Sequence, residues 1–301
     1  MRSSFINTLT ALAQQDERIY LLTADLGYSV LEVFADRFPK RFLNVGIAEQ
    51  NAIGVAAGLA LNGKIPYVYS IIPFVTGRCY EQIKNDVAYM NTNVRVVGVG
   101  AGYAYGALGA THHAIEDLAI MRALPNMGII APGCPNEVKK LVKYSVKHNG
   151  PLYIRLAKNG EPQINNSSIV FGKFSKLCDG HDIVILSTSS MLNDANNVVN
   201  RLKAENIFAS LYSVHTLKPF DNDEMDRIIN SNIPVVTLEE HNIIGGLASA
   251  VSLRIAMSGK RVSFLPIAIP DQFSHFVGGQ TFIKNKMGLG DLESKIRSFL
   301  K

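Results

Sequence analysis

Apolar positions along the chain fall in short runs, and helical patterns separate several of them. The strand-like runs are "IYLLTA" (19–24), "RFLNV" (41–45), "PYVYSII" (66–72), "NVRVVGVG" (93–100), "MGIIAP" (127–132) and "PLYIRL" (151–156). Before the last of these, "NEVKKLVKYSVKHN" (136–149) repeats its apolar residues at three- and four-residue spacing, the period of an amphipathic helix. Strands alternating with helices predict a mostly parallel sheet covered on both faces. The pattern breaks at "AKNGEPQINNSS" (157–168), which is polar and rich in turn residues and reads as a linker. A second series follows in "DIVILST" (182–188), "IFASLYSV" (207–214), "IPVVTLE" (233–239) and "RVSFLPIAI" (261–269). The expectation is two doubly wound α/β domains, residues 1–157 and 176–301, joined by a linker over 158–175.

Composition narrows the class. The 301 residues are 47% hydrophobic and 18% charged, which suits a globular protein of about two domains at ~150 residues each. No apolar run reaches the ~20 residues that span a bilayer, and the opening "MRSSFINTLTALAQQDERIY" reads as an amphipathic helix rather than a signal peptide. Cys79, Cys134 and Cys178 are far apart and odd in number, so neither a disulfide framework nor a zinc site is expected, and a cytoplasmic location is. The formal charge of +5 is scattered along the chain. Without a basic stripe interleaved with aromatics, nucleic acid is not an expected partner, and what remains is a mild preference for phosphorylated small molecules.

The stretch "NVGIAEQNAIGVAAG" (44–58) changes the picture. It sets Glu49 between the end of a strand and a helix whose Gly54, Ala57 and Gly58 would let another backbone approach closely. A helix-start carboxylate is ordinary, because acidic residues favour the positive end of the helix dipole by ~0.3–1 kcal/mol. Amid "GIA" and "AIGVAAG", however, this one is desolvated, which opposes its charge while the helix terminus supports it. A carboxyl poised between those effects suits proton exchange with a nitrogen heterocycle.

On these residues the chain resembles the pyrimidine-binding domain of transketolases and of the related 1-deoxyxylulose-5-phosphate synthases. The resemblance implies that Glu49 hydrogen-bonds a ring nitrogen of the aminopyrimidine of thiamine diphosphate. It would promote the imino tautomer that deprotonates the thiazolium carbon. "YSIIPFVTGRCYEQIKNDVAYMN" (69–91) is similar to the family segment whose aromatic side chain stacks on the aminopyrimidine; Phe74 is the match, with Val75 the alternative alignment. Ile47 and Arg78, in the same two segments, are the further cofactor contacts. "GALGATHHAIEDLAIMRALPNMGIIAP" (106–132) resembles the family's THQ…D…LR…PNM stretch, so His112 would face the substrate's reacting carbonyl and hydroxyl groups. "EEHNIIGGLASAV" (239–251) is typical of the family's C-terminal domain. The glycines from Gly98 to Gly109 spell no G-x-G-x-x-G, so they read as backbone passing close to a ligand rather than as a dinucleotide fingerprint.

The family's GDG…N motif, which holds the diphosphate and a divalent metal (Mg²⁺ or Ca²⁺), does not occur; the sole Asp-Gly, Asp179-Gly180, follows Cys178. The resemblance therefore implies the C-terminal subunit of a split transketolase. It would work with an N-terminal diphosphate-binding partner as a heterotetramer, with no metal ligands of its own and the small-residue helix over 52–60 at the contact. Arg2, Ser29 and Arg155 match residues that grip the sugar phosphate, a role suited to arginine's bidentate fork. Two departures, Leu108 for an aspartate that reads a substrate hydroxyl and Gly100 for a phosphate-binding histidine, put the ordinary pentose-phosphate substrates in doubt. The alternatives are a 1-deoxyxylulose-5-phosphate synthase-like carboligase, the beta subunit of a 2-oxo-acid dehydrogenase's first component, and a non-catalytic paralogue, against which Glu49 argues.

Overall fold

A computed structural model describes residues 1–158 and 160–301. Helix α1 (Arg2–Ala13) leads to β1 (Ile19–Thr23), α2 (Glu32–Arg37), β2 (Phe42–Asn44), α3 (Glu49–Leu61) and β3 (Ile65–Ile71). Two short helices, α4 (Ile72–Val75) and α5 (Tyr80–Gln82), and a π-helical stretch, Ile83–Tyr89, precede β4 (Arg95–Val99). Then come α6 (Asp117–Ala123), β5 (Gly128–Ile130), α7 (Pro135–Lys147) and β6 (Leu152–Leu156). The second series is β7 (Ser175–Cys178), β8 (Ile183–Ser187), α8 (Leu192–Ala204), β9 (Ala209–Ser213), β10 (Thr216–Lys218), α9 (Asn222–Asn230), β11 (Val235–Asn242), α10 (Leu247–Ser258), β12 (Phe264–Ile269), α11 (Gln280–Lys286) and α12 (Leu292–Leu300).

The strands form two sheets, β10-β5-β6-β4-β3-β1-β2 and β12-β11-β8-β9-β7, parallel except for β10 on β5 and β7 on β9. Every strand-like run of the sequence is a strand here. The sequence reading missed β7 and β10. The three residues of β10 carry too little pattern to stand out, yet they leave their own series and pair with the edge of the first sheet, Thr216 opposite Ile130.

Period-two alternation sends neighbouring side chains to opposite faces. Leu21, Val97 and Ile154 join α1, α2 and α7 on one face of the first sheet, while Leu22, Val96 and Tyr153 join α3 and α6 on the other. That second cluster continues into Val184, Leu186 and Val235 of the second sheet and into α9 and α10. The far face of the second sheet packs on α8, α11 and α12. One apolar cluster thus belongs to both halves.

Polar groups reinforce the junction. Asp117 at the start of α6 takes Arg155 Nε at 2.8 Å and the Tyr153 hydroxyl at 2.6 Å, and Arg155 Nη2 also donates to the carbonyls of Ala114 (3.0 Å) and Glu240 (3.1 Å). The Glu239 carboxylate accepts the Leu247 and Ala248 amides (2.6 and 2.8 Å) at the N-terminus of α10. His241 is fully buried; its Nε2 accepts from the Ala119 amide (3.3 Å) and its Nδ1 faces the Asn242 carbonyl (2.8 Å), which fixes the Nδ1–H tautomer. Within the passage "EEHN", Glu240, His241 and Asn242 thus bond across to the first half, while Glu239 caps α10 in its own half. Among the described residues no helix is long and apolar enough to cross a membrane.

Candidate active site

Candidate chemistry follows the carboxyl ends of the first sheet's parallel strands. Ser29 lies after β1, Glu49 after β2, Phe74 and Arg78 after β3, His112 after β4 and Lys158 after β6. Open α/β sheets bind ligands along this edge, where strand order reverses. Here it reverses at β1, flanked by β2 and β3.

Glu49 is the first residue of α3 and is 2% exposed. Gly46, at φ +73°, turns the chain from β2 towards the helix, a conformation an L side chain resists. Glu49 Oε2 accepts from Arg78 Nη1 at 2.9 Å, and Oε1 accepts from Ser70 Oγ at 3.2 Å. The half-exposed Arg78 guanidinium lies 4.6 Å from the centroid of the Phe74 ring, and that ring meets the His112 imidazole edge-on at 5.0 Å. Val75, the alternative to Phe74, is buried in the core and cannot meet a ligand there. Ile47 is 81% exposed, leaving an apolar side chain in solvent two residues from the buried carboxylate. Behind Glu49, Cys79 donates to the Phe74 carbonyl at 3.2 Å; burial, and secondly the Glu49 charge, push its thiol up to about 12, so it stays protonated.

Burial holds His112 below the usual histidine range, so its imidazole is neutral near pH 7 and offers one donor and one acceptor. Thr111 Oγ1 sits 3.0 Å from its Nδ1. His113 points the other way: it is buried and packs edge-on against Tyr103 at 4.9 Å.

A second group gathers around Tyr69 and Tyr105. Arg2 Nε donates to the Lys158 carbonyl at 2.7 Å, and the Lys158 ammonium lies 4.6 Å from the Tyr105 centroid. Tyr105 in turn faces His112 at 6.3 Å. Burial raises the Tyr69 hydroxyl above its usual range against the nearby Arg2 charge, and that hydroxyl has no hydrogen-bond partner among the described residues. The turn that carries the exposed Ser29 packs on the same ring, since a Cβ on Gly27 would come within 3.4 Å of Tyr69 Cε1.

Arg155 corrects the sequence reading. It is fully buried, and Asp117, Ala114 and Glu240 hold its Nε and Nη2, so its fork is not offered to a phosphate from solvent. The side chains of β6 alternate, and residue 155 points into the interior. Lys158, just past the strand's end, is the cation at the edge, and the sequence reading missed it together with Tyr105 and Ser70. A lysine directly after a parallel strand was the available signal. Leu108 is 56% exposed on the loop that carries His112. Among the described residues no group of three or more His, Cys, Asp or Glu side chains could hold a metal ion.

The edge therefore presents a buried carboxylate, an aromatic ring and a neutral histidine, with cations to one side. Residues 1–162 match the transketolase pyrimidine-binding domain and residues 172–281 the transketolase C-terminal domain. The chain belongs to the transketolase family. A putative transketolase C-terminal section from Methanocaldococcus jannaschii is 40% identical, over 91% of this chain and 87% of that protein. One subunit of an apulose-4-phosphate transketolase from Phocaeicola vulgatus is 37% identical, over 90% of this chain and 88% of that protein. A solved split-gene transketolase, an inactive beta4 tetramer, superposes with a TM-score of 0.90 at 34% identity, over 99% of this chain and 97% of that one. The transketolase fold accounts for both sheets, and membership of the family implies dependence on thiamine diphosphate.

Proposed function

We propose that this chain is the pyrimidine-binding subunit of a two-subunit, thiamine-diphosphate-dependent transketolase that moves a two-carbon ketol unit between phosphorylated sugars. The buried Glu49 carboxylate at the strand edge, linked through Arg78 to Phe74, whose ring meets His112, carries the reading. When bound, thiamine diphosphate supplies the electron sink for carbon–carbon cleavage. Glu49 would hold a proton against a ring nitrogen of the aminopyrimidine, with Phe74 and Ile47 as its apolar walls. Arg78 balances the carboxylate's charge and braces Phe74. Neutral His112 would exchange a hydrogen bond or proton with the sugar's reacting oxygens. The diphosphate and its divalent metal fall to a partner chain that carries the GDG…N ligands. The Methanocaldococcus relative is described as a C-terminal section and the Phocaeicola relative as one subunit of its enzyme. Each is covered to nearly nine-tenths of its own length, which supports that division.

Arg2, Ser29 and Lys158 form the phosphate subsite, with Lys158 in the role first expected of Arg155. The exposed Leu108 cannot read a hydroxyl, which favours a donor unlike the ordinary pentose phosphates; the Phocaeicola relative is described for apulose-4-phosphate. The test is reconstitution with the partner chain, thiamine diphosphate and Mg²⁺, followed by an assay of ketol transfer. Mixing should create an activity that the single chain lacks, and Glu49→Gln should cut it by ~10²- to 10⁴-fold, the range of general acid–base contributions. Full magnesium-dependent turnover by the single chain would overturn the two-subunit reading, and an undiminished Glu49→Gln complex would overturn the site.

A further inference from the structure

The second sheet also has a carboxyl edge where strand order reverses, between β8 and β11. In a doubly wound sheet that crevice receives a ligand. Here the chain's own first half fills it. Glu240, near the end of β11, is fully buried, and its Oε1 accepts the Tyr103 amide at 2.8 Å. Ser190 Oγ, from the turn after β8, donates to Oε2 at 2.7 Å, and Gln280 Nε2 bridges both oxygens at 3.0 and 2.8 Å.

The segment held there is the base of the His112 loop. Gly102 and Ala114 exchange backbone hydrogen bonds (3.0 and 2.9 Å), closing a loop that carries His112 two residues before the bridge. A Cβ on Gly102 would lie 2.3 Å from Glu240 Cδ, so the backbone rests directly on the carboxylate. Further contacts come from the same half: Asn242 N donates to the Ile115 carbonyl at 2.7 Å, and Gly106 packs so closely on Gly278 and Ile283 that a Cβ would not fit. Tyr103, whose amide Glu240 holds, packs its ring on His113, the residue next to His112.

We infer that Glu240 is a positioning residue for the transketolase reaction: it anchors the 102–114 loop through the Tyr103 amide and so sets the place of His112 opposite Phe74. This rests on the proposed role of His112. The second half thereby serves the active site without touching substrate. A carboxylate suits the task because one rigid group can satisfy donors from three separate segments. Glutamine keeps an oxygen for Tyr103, while Ser190 and the Gln280 amide can reverse to suit its NH₂.

The experiment uses the reconstituted complex with Glu240→Ala, Glu240→Gln, His112→Ala and the double variant His112→Ala/Glu240→Ala. Glu240→Ala should lower kcat by ~10- to 100-fold, the cost of a lost buried charge-assisted hydrogen bond or of a misplacement of about 1 Å. Glu240→Gln should recover most of that loss. Once His112 is absent, adding Glu240→Ala should cost nothing more. Independently of turnover, amide hydrogen exchange should speed up across 102–114 in Glu240→Ala and stay unchanged in α3. Additive losses, or exchange in the loop unaltered by Glu240→Ala, would overturn the inference. Undiminished turnover in His112→Ala would instead overturn the role of His112 itself, with the exchange result still deciding whether Glu240 anchors the loop.

Discussion

Arg155 and Lys158 lie three residues apart at the end of β6, one locked against Asp117 and the other over Tyr105 at the site's edge. Their deletions should therefore fail in different ways. Arg155→Ala leaves Asp117 charged, buried and without its ion-pair partner, which typically costs ~3–5 kcal/mol. That variant should unfold at a markedly lower temperature. Lys158→Ala removes a half-buried cation over Tyr105 and, on the proposed phosphate subsite, a charge-assisted contact to substrate worth about 1.5–3 kcal/mol. It should raise KM for a phosphorylated sugar by ~10- to 100-fold and leave KM for the unphosphorylated sugar unchanged. Matched kinetics and melting curves read both, and an Arg155→Ala protein of normal stability with a raised KM would return the phosphate role to Arg155.

Helix α3 raises a question at the scale of the element. Gly54 and Gly58 lie on its exposed side, and a Cβ added to either meets nothing within 4 Å in this chain. A glycine inside a helix costs about 0.8–1.0 kcal/mol relative to alanine. The subunit's own fold has no use for that cost, whereas a backbone from another chain would. Gly54→Ala with Gly58→Ala should accordingly stabilise the isolated chain by ~1–2 kcal/mol and weaken its association with the partner chain. Thermal unfolding of the single chain and size-exclusion chromatography of the mixture measure the two effects. Stabilisation with unchanged association would remove α3 from the interface.

At the scale of the molecule, the buried run from Glu239 to His241 beside the junction of the halves carries two opposed proton equilibria. Burial lifts the Glu239 carboxyl from 4.5 to about 7, against the Ala248 and Leu247 amides that favour its charge. Burial also lowers His241 from 6.5 to about 4. Folded Glu239 keeps a proton that the unfolded chain releases, so its contribution is full below pH ~4.5 and is lost as pH rises to ~7. Folded His241 refuses a proton that the unfolded chain takes up, so stability is lost as pH falls from ~6.5 to ~4. Each slope amounts to up to about 3 kcal/mol at 1.36 kcal/mol per unit, and over most of this range they cancel. His241→Gln should therefore become less stable as pH rises, Glu239→Gln less stable as pH falls, and the unaltered protein should be flatter than either. Urea unfolding across pH 4–7 checks this; parallel profiles for all three would reject the opposed pair.

The sequence by itself determined the α/β plan, because strand and helix periods are local and each run had to bury its apolar face. It also singled out Glu49, Phe74 and His112 as candidates, through a family resemblance carried by the small residues and glycines around them, and the fold brings the Phe74 and His112 rings within 5.0 Å of each other. Burial and partner choice belong to the tertiary structure alone. Nothing in "PLYIRLAKN" says that Arg155 turns inward to Asp117 while Lys158 remains at the edge; strand register and the placement of α6 decide it. Nor does "TLK" announce a strand, since β10 exists only because the edge of another sheet offers β5 as a partner. Glu239, Glu240 and His241 read as one polar run in the text. The fold gives each a separate partner, at the start of α10, at Tyr103 and at Ala119, because a buried polar group must find its hydrogen bonds wherever the packing brings them.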